Sequence, residues 1–230
     1  MAATENHLIE LLPRKDRLRL LTVCEPFELV LSETLAEPNK ATRHVYFPIT
    51  GFISRVTKIG KNPALEVGMV GREGMLGAHL AQGVANAPLH ALVQGQGMAR
   101  RIAVVDFRRE LVASLPLQRI MHRYLYVLMA QLAETAGCLR YHQIGPRLAR
   151  WLLMSQDRAN ADTFPVTQVF LSYMLGVRRV GVTGAASELQ RDGLIEYHRG
   201  HLSVLNRRGL EAAACSCYAA DKQSYRKVLA

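Results

Sequence analysis

The first half of the chain alternates short apolar runs with turn residues, and this pattern predicts β-strands. The runs are 27–31, 44–47, 52–56, 65–70, 89–94 and 98–105. They are short and contain β-branched or aromatic residues, which suit a pleated surface that is buried on one side. Turn residues such as Pro38-Asn39 and Gly51 separate them. Many short strands with glycine turns predict a sandwich or barrel rather than a parallel sheet.

A long amphipathic helix is predicted over residues 111–138, which lack glycine until Gly137. Apolar residues recur there at four-residue steps, as on one face of a helix, and a second stripe widens that face. This is more apolar surface than a small β domain covers, so we predict a helix–helix dimer interface; the alternative is packing within its own domain. The predicted interface residues are Ile120, Tyr124, Leu125, Leu128 and Leu132.

Two shorter helical patterns lie between Val166 and Gly193, with a glycine turn between them. Thr167 can cap the first helix, and Gly176 can end it in a left-handed conformation. The second pattern begins two residues later and ends at Gly193. A helix, a turn and a second helix form the unit that places one helix in a DNA major groove.

The start of the second helix carries side chains suited to DNA. Arg178 and Arg179 lie in its first turn, and an arginine can donate two parallel hydrogen bonds to guanine. Positive charge at a helix N-terminus costs about 0.3–1 kcal/mol per exposed charge, which an anionic ligand would offset. Two short strands around Arg199-Gly200 predict a basic wing. The predicted DNA-contacting residues are Thr167, Gln168, Arg178, Arg179, Thr183 and Arg199.

Two glycines inside the second helix require a reason, because each costs about 1 kcal/mol relative to alanine. They are Gly181 and Gly184. A close approach to the first helix or to the DNA backbone would explain them.

Charge supports a polyanionic partner. The chain has a net charge of +10 over 230 residues, and residues 139–230 carry 13 Lys and Arg against 7 Asp and Glu. Such a balance favours nucleic acid or an anionic surface. No apolar run approaches the about 18 residues that a membrane span needs, and the first residues lack the apolar core of a secretion signal. We therefore expect a cytoplasmic protein that does not bind a membrane.

The candidate chemistry of cysteine and histidine is sparse, and we expect no metal and no cofactor. Cys24, Cys138, Cys215 and Cys217 form no disulfide framework. Cys215 and Cys217 would point to different faces of a terminal helix, so joint ligation is not expected. The histidines show no metal-binding i, i+4 pair, and P-loop and Gly-x-Ser-x-Gly patterns are absent. The sequence therefore predicts a protein that is not an enzyme.

These residues resemble the Crp–Fnr family of bacterial transcription regulators. The segments that carry the resemblance are 46–48, 51–54, 70–77, 170–179, 182–183, 185–186, 189–190 and 193–195. The resemblance implies an α+β protein with a cyclic-nucleotide-binding-type β-roll (jelly roll) at 1–110, a dimerisation helix at 111–138 and a winged helix-turn-helix at 139–230. It also implies a homodimer that binds double-stranded DNA and contacts RNA polymerase.

The resemblance implies a divergent operator. Arg179 stands where family members place a base-reading arginine. Val180 stands where glutamate often reads cytosine, and valine cannot accept that hydrogen bond. Gly184 stands where another arginine is common.

The sensor region departs further from the family pattern. Nucleotide-binding members hold the cyclic phosphate with a Gly-Glu and a later arginine, but segment 71–74 interrupts the first and no arginine occurs between Arg72 and Arg100. Cyclic AMP is therefore not expected, and the effector is unknown. Cys24 alone cannot supply the N-terminal cysteine set of iron–sulfur members. Arg72, Glu73 and Leu89 are the remaining ligand-binding candidates.

Other function classes explain less. A cupin-like metalloenzyme would need clustered histidines and carboxylates on the predicted strands, where the histidines are scattered. A module that binds a cyclic nucleotide or another small ligand without direct DNA readout would leave the helix-turn-helix arginines unexplained. Membrane-surface binding would need the basic residues on an amphipathic helix with a bulky apolar face.

Overall fold

The computed structural model describes residues 5–159, 161–198 and 200–229 and combines helices with antiparallel sheets. The helices are α1 His7–Glu10, α2 Arg14–Thr22, α3 Val104–Ala113, α4 Leu115–Tyr141, α5 Ile144–Ala159, α6 Gln168–Leu175, α7 Arg179–Arg191, α8 Arg207–Ala213 and α9 Cys217–Leu229, with a 3-10 helix at Ala78–Gln82. The strands are β1 Glu25–Leu29, β2 Thr34–Ala36, β3 His44–Pro48, β4 Phe52–Thr57, β5 Leu65–Val70, β6 His90–Gly95, β7 Gly97–Ala103, β8 Thr163–Pro165, β9 Ile195–His198 and β10 His201–Val204.

The chain divides into two compact units. The first contains residues 1–55, 69–130 and 224–230, and the second contains 56–68 and 131–223. The three-part domain division expected from the sequence stays a prediction.

Two sheets contain strands β1 to β7, and most of their residues belong to the first unit. One has the strand order β1-β7-β3, and the other has β2-β6-β4-β5. Both sheets contribute to one apolar cluster, made of Leu29, Tyr46, Ile53, Val70, Ala91, Val93 and Ala99. Gly51 has a φ of 72°, and an added Cβ would lie 2.4 Å from the carbonyl oxygen of Gly95. Only glycine fits this turn, because any side chain would collide with backbone.

The long helix begins later than the sequence pattern indicates. Leu111 lies in α3, and Ser114 has an extended backbone that separates α3 from α4. The Ser114 hydroxyl accepts a hydrogen bond from the Leu117 amide at 3.2 Å, as a capping residue does. Helix α4 therefore runs from Leu115 to Tyr141.

The second unit contains helices α5 to α8 and a small sheet of order β8-β10-β9. The C-terminal helical region consists of two helices, and the terminal helix α9 begins at Cys217, so Cys215 does not lie on it. Asn206 caps α8, and a break at Cys215-Ser216 precedes α9. Among the described residues, no helix combines the length and apolar character that a membrane crossing requires.

Candidate DNA-binding site

Helix α6 is capped at both ends by residues that the sequence predicts. The Thr167 hydroxyl accepts a hydrogen bond from the Phe170 amide at 3.1 Å and so caps the helix N-terminus. Gly176 ends the helix with a φ of 62°, and the Val177 amide donates to the Ser172 carbonyl at 3.0 Å. These bonds satisfy carbonyls that the helix end would otherwise leave unpaired. Both sequence expectations for this helix are confirmed.

Helix α7 buries one face and exposes the other. Its buried residues are Val182, Ala185, Ala186 and Leu189. Arg178, Arg179, Val180, Thr183 and Gly184 lie on the exposed side. The helix begins without a side-chain cap, because arginine stands at the N-cap position. An amphipathic helix whose outer face starts with two arginines can present them to an anionic surface.

The side chains of the two arginines are free of partners within the described residues. Within the described residues, no ion pair or hydrogen bond involves the guanidinium group of Arg178 or Arg179, whereas several other arginines are paired with carboxylates. Their guanidinium groups therefore keep their donors available for phosphate or for a base edge.

Two other predicted DNA-contacting residues, Gln168 and Thr183, are hydrogen-bonded to each other. The Thr183 hydroxyl lies 2.8 Å from Gln168 Oε1 and 3.1 Å from the Arg179 carbonyl oxygen. This hydrogen bond links the start of α6 to the first turns of α7. The Gln168 amide nitrogen keeps two donors for a ligand.

The helix glycines turn out to have different surroundings. A Cβ added to Gly181 would lie 2.7 Å from Ile144 Cδ1, at the start of α5. A Cβ added to Gly184 meets nothing within 4 Å. Packing against a helix therefore accounts for Gly181, although the neighbour is α5 rather than α6. Within the described residues, protein contacts give no reason for Gly184.

The wing is a hairpin of β9 and β10, in which His198 pairs with His201 and Gly200 has a φ of 82°. The Tyr197 hydroxyl donates to the Val166 carbonyl at 2.9 Å, which ties the hairpin to the segment before α6. Burial raises the pKa of this tyrosine. Arg199, the predicted wing contact, lies outside the described residues.

A match to a known family follows from the same region. Residues 146–213 match the family model described as the Crp-like helix-turn-helix domain. The chain therefore carries a Crp-like helix-turn-helix domain. No curated protein sequence matches the chain closely enough to count as a relative.

Several solved structures have the same fold as this protein. FixK2 from Bradyrhizobium japonicum superposes with a TM-score of 0.70 at 15% identity, covering 84% of this chain and 98% of that one. CLP from Xanthomonas campestris gives 0.67 at 15%, covering 84% and 99%. A Crp/Fnr-family transcriptional regulator from Thermus thermophilus gives 0.67 at 19%, covering 83% and 98%. The predicted α+β fold and the resemblance to the Crp–Fnr family are confirmed.

The predicted interface residues on α4 have unequal exposure. Ile120 and Tyr124 are buried in the core of the first unit. The Tyr124 hydroxyl accepts from the Met75 amide at 3.0 Å and donates to the Met75 carbonyl at 3.1 Å. Leu125 and Leu128 are half-buried, and Leu132 is 40% exposed. The last three residues therefore retain apolar surface for a partner, whereas Tyr124 has none.

The predicted ligand-binding residues do not line the cavity described in the first unit. Arg72 forms an ion pair with Glu10 at 2.5 Å, and Glu73 accepts from the Gly71 amide at 3.2 Å. Leu89 is half-buried. The cavity has a volume of about 250 Å³, and its lining includes Glu37, Lys40, Thr42, Arg43 and His44.

The expectation that the chain has no metal or cofactor site is wrong. Cys138, His142, Cys215 and Cys217 offer ligand atoms that all lie within 4.8 Å of one another. All four residues belong to the second unit, beside the Crp-like domain. The contact between Cys138 and Cys215 lowers the pKa of the first thiol and raises that of the second, because one sulfur donates its proton toward the other.

Two features of the molecule explain the difference. Cys215 lies in the turn before α9 and not on a helix with Cys217, so helical spacing does not separate the two side chains. Cys138 and His142 have the i, i+4 spacing of metal ligands at the end of the long helix, as a mixed cysteine and histidine pair rather than a pair of histidines. That spacing is the sequence signal for half of the cluster.

Proposed function

We propose that the protein is a homodimeric, sequence-specific transcription regulator that inserts α7 into the DNA major groove. The observation that carries this proposal is the Crp-like helix-turn-helix with two exposed arginines at the start of its second helix, whose side chains have no partner among the residues that the structure describes. DNA binding rather than catalysis is the proposed activity. The protein would act in the cytoplasm.

Arg179 and Arg178 have different roles in this proposal. Arg179, the first residue of α7, would donate to a guanine edge, while Arg178 at the N-cap would neutralise a phosphate. Val180 is 75% exposed next to them and cannot accept a hydrogen bond from cytosine. Its methyl groups suit contact with a thymine methyl instead.

Helix α4 supports the dimer. Met129 is 63% exposed and Leu132 40% exposed, and the half-buried Leu125 and Leu128 lie within a turn of them. A second copy of α4 packed along this strip would remove it from water. Two copies would read half-sites about one helical turn apart on a pseudo-palindromic operator.

Regulation by an effector in the first unit completes the proposal. The cavity near Lys40 and Arg43 has polar walls that suit a small polar molecule. CLP from Xanthomonas campestris is a c-di-GMP responsive regulator, so cyclic nucleotides and dinucleotides belong in a first ligand screen. The resemblance further leads us to propose contact with RNA polymerase, which transcription from a template carrying the operator would test.

The decisive experiment starts with selection of bound DNA from a random pool, with and without cell extract. Affinities of Arg179→Ala and Arg178→Ala are then measured for the selected operator and for random DNA across a salt series. We expect Arg179→Ala to lose about 1–3 kcal/mol of discrimination per site. Arg178→Ala should weaken binding to both DNAs equally and reduce the salt slope by about 1.

Arg108→Ala is the matched control, because Arg108 is an exposed arginine of α3 in the other unit. It removes the same charge and should leave discrimination unchanged. If Arg179→Ala kept the ratio of operator to random binding, its proposed role in base reading would be refuted. Failure of the wild-type protein to select any sequence would refute the proposed function itself.

A further inference from the structure

Four residues from distant parts of the sequence meet in a small, buried cluster of the second unit. Cys138 lies near the end of α4 and His142 follows that helix, while Cys215 lies before α9 and Cys217 begins it. We propose that this Cys3His cluster binds one zinc ion, and that the ion fastens the α8–α9 connection to the end of α4. The proposal does not depend on DNA binding.

The distances fit one tetrahedral ion. Cys138 Sγ lies 3.6 Å from Cys215 Sγ, and Cys217 Sγ lies 3.5 Å from His142 Nδ1. Zinc bonds of about 2.3 Å to sulfur and 2.0–2.1 Å to nitrogen place ligands about 3.8 Å and 3.6 Å apart along the edges of a tetrahedron. The observed separations match both kinds of edge. A disulfide would need about 2.05 Å between sulfur atoms, and all the cysteines are free.

The compactness of the cluster distinguishes one ion from an iron–sulfur cluster. Iron–sulfur clusters attach their cysteines to different iron atoms, so the ligand atoms must spread around the whole cluster. Here all four ligand atoms lie within 4.8 Å of one another. That space accommodates a single ion at the centre.

Burial and ligand number indicate a structural site. Cys138, Cys215 and Cys217 are each less than 8% exposed, and His142 is half-buried. Four protein ligands complete the tetrahedron and leave no position for a substrate, which is the arrangement of structural rather than catalytic zinc. Thiolate and imidazole ligands also favour zinc, whereas magnesium and calcium take oxygen ligands.

A buried donor without a partner gives an independent reason for an anionic centre. Arg147 and Arg150 line the same small cavity as Cys138. Arg150 is 9% exposed and donates to Asp221 at 2.5 Å, but its Nε has no hydrogen-bond partner within the described residues. Glu66 lines the same cavity, so two buried carboxylates, Glu66 and Asp221, already balance the charge of the two guanidinium groups. Zinc with three thiolates carries one net negative charge, which suits the unpaired Arg150 donor.

Hydrogen bonds also connect the site to helices α5 and α6 of the same unit. The Cys215 amide donates to the Pro146 carbonyl at 3.2 Å, in the first turn of α5. The next residue, Arg147, donates to the Leu175 carbonyl at the end of α6. Loading the site would therefore stabilise α5 and α6 together with the ligand loop. The three thiols would release their protons to the solvent as the ion binds.

The test uses the full-length protein purified under reducing conditions. Elemental analysis should find one zinc per chain and no stoichiometric iron or sulfide. After chelation, titration with Co²⁺ alone should produce the sulfur-to-cobalt charge-transfer and visible bands of a tetrahedral thiolate site. Zn²⁺ added afterwards should remove those bands.

Cysteine variants provide the matched control. Cys24→Ser changes a cysteine of the other unit and should retain the metal. Cys215→Ser should weaken metal binding by more than the about 10–100-fold typical of losing a residue that merely supports a ligand. The zinc-loaded wild type should also resist urea better than the chelated protein. Chelation should destabilise Cys24→Ser by as much as it destabilises the wild type.

Three results would overturn the proposal. One is a wild-type protein without stoichiometric zinc that gives no thiolate bands with Co²⁺. Another is stoichiometric iron and sulfide in place of zinc. The third is equal metal content in Cys215→Ser and wild type. Because the cobalt titration needs no variant, it decides the question even if Cys215→Ser fails to fold.

Discussion

Replacing Gly184 with alanine separates the stability of α7 from its contact with DNA. Gly184 lies in the interior of the 13-residue helix, and an added Cβ meets nothing within 4 Å. The substitution therefore gains helix propensity without a clash, worth about 1 kcal/mol of unfolding free energy. For a chain of this length that gain raises Tm by about 2–4 °C.

DNA binding should change in the opposite direction. If Gly184 is glycine so that the DNA backbone can approach, the new methyl group will hold the DNA away. We expect an affinity loss of about 1 kcal/mol, or roughly fivefold. Fluorescence of Trp151, the single tryptophan, reports urea unfolding of this unit, and fluorescence anisotropy with labelled operator measures the affinity.

Gly181→Ala is the control within the same helix. Its Cβ would press on Ile144 Cδ1 at 2.7 Å, so part of the propensity gain is lost, and its position facing α5 leaves DNA affinity unchanged. A Gly184→Ala protein no more stable than wild type would refute the open surroundings of Gly184. A more stable protein with undiminished affinity would refute the DNA-approach explanation.

Three further predictions concern stability and assembly. Thr167→Ala removes the cap of α6 and should lower the unfolding free energy by about 1 kcal/mol in the same urea assay. Thr167→Ser keeps the capping hydroxyl and should retain most of the wild-type stability. Tyr124→Phe removes both hydrogen bonds to Met75 and should cost about 1–3 kcal/mol; calorimetry showing no loss would contradict the buried contact. Leu132→Glu should convert the dimer to monomer in sedimentation, whereas Val112→Glu, on an 84% exposed residue of α3, should leave it a dimer; a dimeric Leu132→Glu protein would argue against the α4 interface.

Local chemistry in the sequence determined the DNA-binding region. A threonine cap, a left-handed glycine and a 3.6-residue apolar period act within a few residues of one another, so α6 and α7 could be placed from the sequence alone. In the strand region, each of the six predicted runs overlaps a strand, but β2 (Thr34–Ala36) corresponds to none of them. The start of α4 has the same kind of signal, a capping Ser114 with Pro116 in the first turn. The apolar period on both sides of this break instead predicts a helix from Leu111, which is why the expected start is too early.

Tertiary structure decided which apolar and reactive side chains remain available. Tyr124 and Leu132 share one helical stripe in the sequence, yet packing against the first unit buries Tyr124 and leaves Leu132 exposed. Cys138 and Cys215 are separated by 77 positions, and only the fold brings their sulfurs to 3.6 Å. Spacing along the chain reports neighbours on the same helix, whereas burial and ligand clusters depend on which distant segments pack together.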